Sequence, residues 1–85
     1  MNYEIIFDSD FVKSIKNLDN TIKEAVEKRI KKIAETPLLG KPLHGRAHVF
    51  SERILQYRII YCVQNDKIIM LKFGKRDNKS LYGNI

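Results

Sequence analysis

The sequence has one cysteine and four glycines, and it contains no long apolar run. The single cysteine excludes an internal disulfide and fits a reducing cytoplasm, where we expect the protein to act. No stretch approaches the roughly 18 apolar residues that a membrane span needs, and the N-terminus lacks a basic-then-apolar signal segment. We therefore expect neither membrane insertion nor secretion. The glycines match neither a dinucleotide-binding fingerprint nor a phosphate-binding loop.

Metal and thiol chemistry is also poorly supported by the sequence. His44 and His48 are four residues apart, but Gly45 and the strand-like residues that follow argue against a helix presenting both imidazoles. No second cysteine and no paired carboxylates accompany them. Cys62 lies among apolar residues in the middle of a predicted strand, which is typical of a small core residue rather than a nucleophile. We predict no metal and no cofactor.

The charge is distributed unevenly along the chain. At 85 residues and 10.0 kDa, the chain is predicted to form a single domain, residues 1–85. Residues 1–40 contain seven basic and seven acidic side chains, whereas residues 41–85 contain nine and three, so the whole net charge of +6 lies in the second half. Such asymmetry indicates a polyanionic partner, either nucleic acid or an acidic protein segment, or simply a solvated basic face.

The first half of the chain predicts a strand followed by two helices. Residues 3–8 alternate with a period of two, which favours a strand. Cap oxygens at residues 8–10 and a helical apolar repeat predict a short helix, and a second apolar stripe predicts a longer one that ends before Pro37. Its cap is Thr21, Asp19 or Asn20. The stripe consists of Ile22, Ala25, Val26, Ile30 and Ile33.

The second half predicts a loop and then three strands. The loop covers residues 37–46, and strands are expected over residues 49–54, 56–63 and 67–73, with a hairpin turn at Asn65 and Asp66. The polar tail from Gly74 has room for one short helical turn. The expected fold class is α+β, in the order β-α-α-β-β-β, with an antiparallel sheet packed by the N-terminal helical hairpin.

The alternation of side chains along each strand predicts which face of the sheet carries the basic residues. Arg58 is the only charge of an otherwise apolar strand, and alternation puts it on the face opposite to the two tyrosines of that strand. If the helices cover the tyrosine face, Arg58 stands on the open face of the sheet, where Arg53 and Lys72 can join it. Guanidinium groups there suit a phosphodiester backbone. The alternative is a salt bridge from Arg58 to Glu52 or Glu4.

Several short motifs in this order resemble the RelE branch of the RelE/ParE toxin superfamily. They are QYRIIY from Gln56, the hairpin after it, the strand ending in LKFGKR at Arg76, the tyrosine six residues later, and the Leu43-His44-Gly45 element. The resemblance extends over nearly the whole chain. It implies a toxin of a type II toxin–antitoxin system that cleaves mRNA in the ribosomal A site without a metal. The RNA 2′-hydroxyl would attack its own 3′ phosphate.

The resemblance also implies roles for individual residues. Arg58 and Arg53 would stabilise transition-state charge, Arg76 would act at the scissile phosphate, and Tyr82 would serve as the base. Ser51 stands where the family carries the first of two basic residues on this strand, with Arg53 at the second. The histidines remain reserve candidates for acid–base catalysis. RNA contacts are assigned to Arg46, His48, Lys72, Lys75 and Lys79.

The implied partners are a RelB-like cognate antitoxin, the ribosome and mRNA, with no membrane. The toxin–antitoxin complex would bind operator DNA through the antitoxin. One alternative is a ParE-like toxin acting on gyrase or a catalytically inactive relative; Tyr82 favours RelE, because ParE chains generally lack that tyrosine. The other is a non-enzymatic nucleic-acid-binding module, although the sheet lacks the paired exposed aromatics used for base stacking.

Overall fold

The N-terminal part of the chain forms one strand and a helical hairpin. The computed structural model describes residues 3–43 and 48–75, beginning with β1 (Glu4–Phe7), α1 (Ser9–Ile15) and α2 (Asn20–Glu35). Asp8 caps α1 by accepting from the Asp10 amide, and Asp19 caps α2 by accepting from the Ile22 amide, both at 2.9–3.0 Å. Asp19 is one of the three caps considered for α2.

The remaining elements are mostly strands. A 3₁₀ turn (Pro37–Leu39) leads into β2 (Lys41–Pro42), and β3 (Val49–Ile54), β4 (Tyr57–Gln64) and β5 (Lys67–Lys75) follow. The described part of the predicted loop therefore contains a turn and a two-residue strand. The β3–β4 connection has only two residues, and Leu55 adopts a φ of 53°, a left-handed conformation that tight hairpins require.

The five strands form one sheet in the order β1-β5-β4-β3-β2. The pairs β2–β3, β3–β4 and β4–β5 are antiparallel, whereas β1 pairs with β5 in parallel. The predicted α+β class is confirmed, and the sheet is mixed rather than wholly antiparallel. The local alternation of β1 defines a strand but carries no information on its partner, so this parallel pairing could not be predicted.

The core lies between one face of the sheet and the helical hairpin. Phe11 of α1 and Ile33 of α2 are fully buried, and Ile59 and Tyr61 of β4 meet them from the sheet. The Tyr61 hydroxyl donates to the Pro37 carbonyl at 2.8 Å. A methyl group at Gly40 would collide with that hydroxyl, so this position requires glycine on steric grounds. The hydrogen bond to Pro37 thus connects the 3₁₀ turn directly to β4, the central strand of the sheet.

A β-bulge in β5 changes which side chains face the core. Ile60 pairs with Lys72 while Tyr61 pairs with Met70, so Leu71 is an extra residue on β5. Strict alternation from the buried Met70 would turn Lys72 toward the core. The bulge turns Lys72 away instead and places Phe73 in the core, where its ring stacks on Tyr57 at a centroid distance of 4.9 Å.

Candidate nucleic-acid interface

The sheet face turned away from α1 and α2, here called the distal face, carries two opposed arginines. Ile59, Tyr61 and Val63 belong to the core under the helices, so alternation places Arg58 on the distal face, as predicted. Arg53 is its direct cross-strand partner on β3. Side chains in such a pair have Cβ atoms about 4.5–5.5 Å apart. Two guanidinium groups therefore share one small surface.

The distal face offers these arginines little neutralising charge. An Arg58 Nη1 atom donates to Ser51 Oγ at 3.3 Å, and Ser51 is almost completely buried. Glu52 pairs instead with Arg29 on the helix side at 2.8 Å, and Glu4 pairs with Lys67. Across residues 3–43 and 48–75, no carboxylate forms an ion pair with Arg53 or Arg58. Within the part of the chain that the structure describes, no acidic side chain neutralises the two guanidinium groups.

Two lysines extend the basic surface. Lys72 of β5 flanks Ile60 on the distal face because of the bulge, and Lys41 of β2 pairs with Ser51 on the other side. The sequence suggested Lys72 but not Lys41, since a two-residue strand containing proline has no recognisable pattern. Gly74 lies opposite Arg58 on β5 and contributes no side chain. On that side, β5 therefore places no side chain directly opposite Arg58.

Other predicted residues lie elsewhere. Lys75 pairs with Tyr57 and so has the phase of the helix side, at the end of β5. His48 precedes β3 with a φ of 64° and lines a surface hollow with Tyr3 and Leu38. His48 and Arg53 are five positions apart in the sequence, about 17 Å of extended chain. The structure therefore does not bring His48 or Lys75 together with the arginine pair.

Several candidate residues lie outside the part of the chain that the structure describes. They include the proposed base and the arginine assigned to the scissile phosphate, and the complete set is His44, Arg46, Arg76, Lys79 and Tyr82. Their assignments stay predictions. The short helical turn expected in the C-terminal tail also lies in this part of the chain.

None of the described tyrosines can serve as a base on the distal face. Tyr3, Tyr57 and Tyr61 all pack on the core beneath the helices. Burial, reinforced by the nearby Glu52 carboxylate, raises the pKa of Tyr61 to about 12. Cys62 does lie on the distal face by alternation, but burial raises the pKa of its thiol and disfavours a nucleophilic thiolate.

The described residues also bear on metal binding and on membrane insertion. Within residues 3–43 and 48–75, no three His, Cys, Asp or Glu side chains are grouped so that they could hold a metal ion. Neither helix in these ranges is long and apolar enough to cross a membrane.

A second surface feature is an apolar groove between the helices, here called the helical groove. It has a volume of about 610 Å³ and is walled by apolar side chains of β1, α1 and α2. Phe7 and Val12, which line it, are 46% and 47% exposed. Lys13, Lys16 and Lys23 surround these residues, with Glu27 as the one acidic lining residue. Such a surface fits an amphipathic segment that bears acidic residues.

Comparison with known proteins gives a consistent set of relatives. The family described as the ParE toxin of the type II toxin–antitoxin system, parDE, matches residues 5–79. The chain is 25% identical to the mRNA interferase toxin RelE of Escherichia coli K12, covering 96% of this chain and 92% of that protein.

Solved structures of toxin–antitoxin complexes share the fold. The intact E. coli RelBE complex matches with a TM-score of 0.79 and 24% identity, covering 86% of this chain and 95% of the matched chain. The RelBE2 complex of Mycobacterium tuberculosis matches with a TM-score of 0.75 and 26% identity, covering 89% of this chain and all of the matched chain.

Proposed function

The chain belongs to the ParE toxin family of type II toxin–antitoxin systems, and we propose that it acts as a RelE-like mRNA endoribonuclease. The resemblance to the RelE/ParE superfamily is confirmed by the family match and by the RelE relative. The observation that carries the proposal is the Arg53–Arg58 pair on the distal face, without a carboxylate partner among the described residues. The pair supports phosphate binding at this surface, because a guanidinium group matches the geometry of a phosphate.

The reaction is an attack of an RNA 2′-hydroxyl on its own 3′ phosphate. The 2′-hydroxyl proton passes to a base, the P–O5′ bond breaks, and the leaving 5′ oxygen takes a proton from water, so the products are a 2′,3′-cyclic phosphate and a free 5′-hydroxyl. Arg53 and Arg58 stabilise the charge that develops on the phosphoryl oxygens, a contribution of about 10²–10³ in rate for each donor. Ser51 orients Arg58 through the 3.3 Å hydrogen bond.

The remaining chemistry is assigned to the C-terminal residues. Tyr82 takes the hydroxyl proton, a role that requires its pKa to lie below the ordinary value of about 10, as nearby cations would make it. Arg76 acts electrostatically at the scissile phosphate, because a guanidinium rarely gives up its proton. Support for Tyr82 comes by elimination: the three described tyrosines are all packed on the core.

The small distal face has few groups that could orient the substrate. We assign that task to the ribosome, which would hold mRNA in its A site in a reactive conformation. The protein would then act in the cytoplasm, and free RNA would be a poor substrate.

A cognate antitoxin is the expected protein partner. The E. coli and M. tuberculosis relatives were crystallised in toxin–antitoxin complexes. An acidic amphipathic segment of the antitoxin would bury Phe7 and Val12 in the helical groove and pair with its lysines. Inhibition requires a second contact that covers Arg58 or displaces the tail carrying Tyr82. Operator DNA would be bound through the antitoxin.

Translation in a cell-free extract tests the proposed reaction. Added toxin is expected to stop synthesis and to produce mRNA ends that map to ribosomal A sites. Because the matched family is named for ParE toxins, inhibition of gyrase supercoiling is measured in parallel. If the toxin abolishes supercoiling by gyrase and leaves mRNA intact, gyrase poisoning would replace mRNA cleavage as the proposed activity. Salt-dependent RNA binding without either effect would indicate a binding module.

A further inference from the structure

Arg29 of α2 contacts β3, the strand that carries Arg53. Its Nη1 atom donates to Glu52 Oε1 at 2.8 Å and to the backbone carbonyl of Arg53 at 2.9 Å. Both acceptors lie on β3, at sequence separations of 23 and 24 residues. A single guanidinium nitrogen thus ties the helix layer to the backbone of a residue whose side chain is on the distal face.

This contact lies at the end of β3 where the strand has a neighbouring strand on one side only. On its outer side β3 pairs with only two residues of β2, at Phe50 and Ser51. Beyond Arg53 the strand enters the two-residue hairpin, and Arg58 stands opposite with the same charge. Repulsion between the two guanidiniums favours displacement of this end of β3. Arg29 holds it from the other side of the sheet.

We infer that Arg29 is a positioning residue for cleavage, which sets the distance between the Arg53 and Arg58 side chains by fixing the β3 backbone. This inference rests on the proposed function. Arg29 itself lies on the helix side, where its other partner is Glu52, so it acts on RNA only through Arg53. A displacement of about 1 Å in such a group can cost on the order of 10² in rate.

The test is a double-mutant cycle on mRNA cleavage in translating ribosomes. Arg29→Ala is expected to lower kcat by about 10- to 100-fold with KM changed by less than about threefold. In an Arg53→Ala background, the same substitution is expected to add less than about a twofold loss. Equal losses in both backgrounds, or wild-type cleavage by Arg29→Ala, would overturn the inference.

Two control variants separate positioning from charge and folding. Lys28→Ala removes a neighbouring exposed positive charge from α2 and should leave cleavage unchanged. If Arg29→Ala does not fold, Arg29→Lys keeps the charge and most of the stem but loses the planar guanidinium. A cleavage loss of about 3- to 10-fold is then expected from the poorer fit. Full activity in Arg29→Lys would contradict a positioning role.

Hydrogen exchange provides a readout that does not depend on activity. Arg29→Ala, or Arg29→Lys in its place, should accelerate amide exchange about 10-fold across residues 53–58, with the core of β4 unaffected. Unchanged exchange there would overturn the inference even if cleavage fell. If the wild-type protein cleaves no mRNA, the proposed function fails, and the exchange comparison still decides whether Arg29 holds β3.

Discussion

Arg53 and Arg58 face each other directly on adjacent antiparallel strands, and both side chains lie on the distal face. Like charges in this relationship are destabilising, and no carboxylate among the described residues pairs with either. A protein with this fold that bound no polyanion would be more stable if one of the two arginines were replaced. The pair is therefore expected to trade stability for function.

The first prediction concerns that trade. Arg53→Gln should raise the free energy of unfolding by about 0.2–1 kcal/mol, because the opposed charge disappears, while mRNA cleavage falls by about 10²–10³. Urea unfolding at low salt measures the gain, which should shrink in 1 M salt as screening weakens the repulsion. Lys31→Gln on the exposed side of α2 is the matched control. A less stable Arg53→Gln protein would show that the arginines do not repel.

The second prediction concerns stability at alkaline pH. The pKa of Tyr61 is raised from about 10 to about 12 in the folded chain, so the folded state favours the neutral phenol. This contribution is fully present below pH 10 and is lost as the pH rises through 12. The stability advantage of the wild type over Tyr61→Phe should therefore shrink by about 2–3 kcal/mol over that interval.

Chemical denaturation from pH 8 to 12.5 measures this difference. At neutral pH, Tyr61→Phe should already cost about 0.5–1.5 kcal/mol, because the Pro37 carbonyl loses its donor. Parallel stability curves for the two proteins between pH 10 and 12 would mean that Tyr61 ionises as readily in the fold as outside it.

The third prediction tests the helical groove as the antitoxin site. Val12→Asp should weaken binding of the cognate antitoxin by about 10- to 100-fold, since it loses apolar contact and adds a charge that repels an acidic segment. Leu39→Asp is the matched control, because Leu39 is 80% exposed and lies outside the groove. Calorimetric titration compares the two. Equal weakening by both substitutions, or by neither, would place the antitoxin elsewhere.

The face of Arg58 could be predicted from the sequence because alternation in a strand buried on one side is strongly constrained. The side chain of Lys72 was harder to place. Its position depends on the extra residue Leu71, and a bulge breaks the very alternation on which the prediction relies. Lys75 illustrates the same limit, because the bulge that turns Lys72 to the distal face also gives Lys75, three residues later, the phase of the helix side.

Contacts between distant segments were beyond sequence reasoning. In the sequence, Arg29 is one of several charged residues on a predicted solvated helix. No residue near it indicates that its side chain bonds to Glu52 or to the Arg53 carbonyl, 24 residues away. The parallel pairing of β1 with β5 and the short β2 strand are similar cases. Local patterns define elements, whereas partners are set by how the whole chain packs.

The most direct test of the central claim is the single-turnover cleavage rate of mRNA on A-site-vacant ribosomes, compared for wild type, Arg58→Ala and Lys31→Ala. If the distal face is the catalytic surface, Arg58→Ala should be slower by about 10²–10³. Lys31→Ala should match the wild type, and thermal unfolding should show that all three are folded. Cleavage by folded Arg58→Ala within about threefold of wild type would contradict the account.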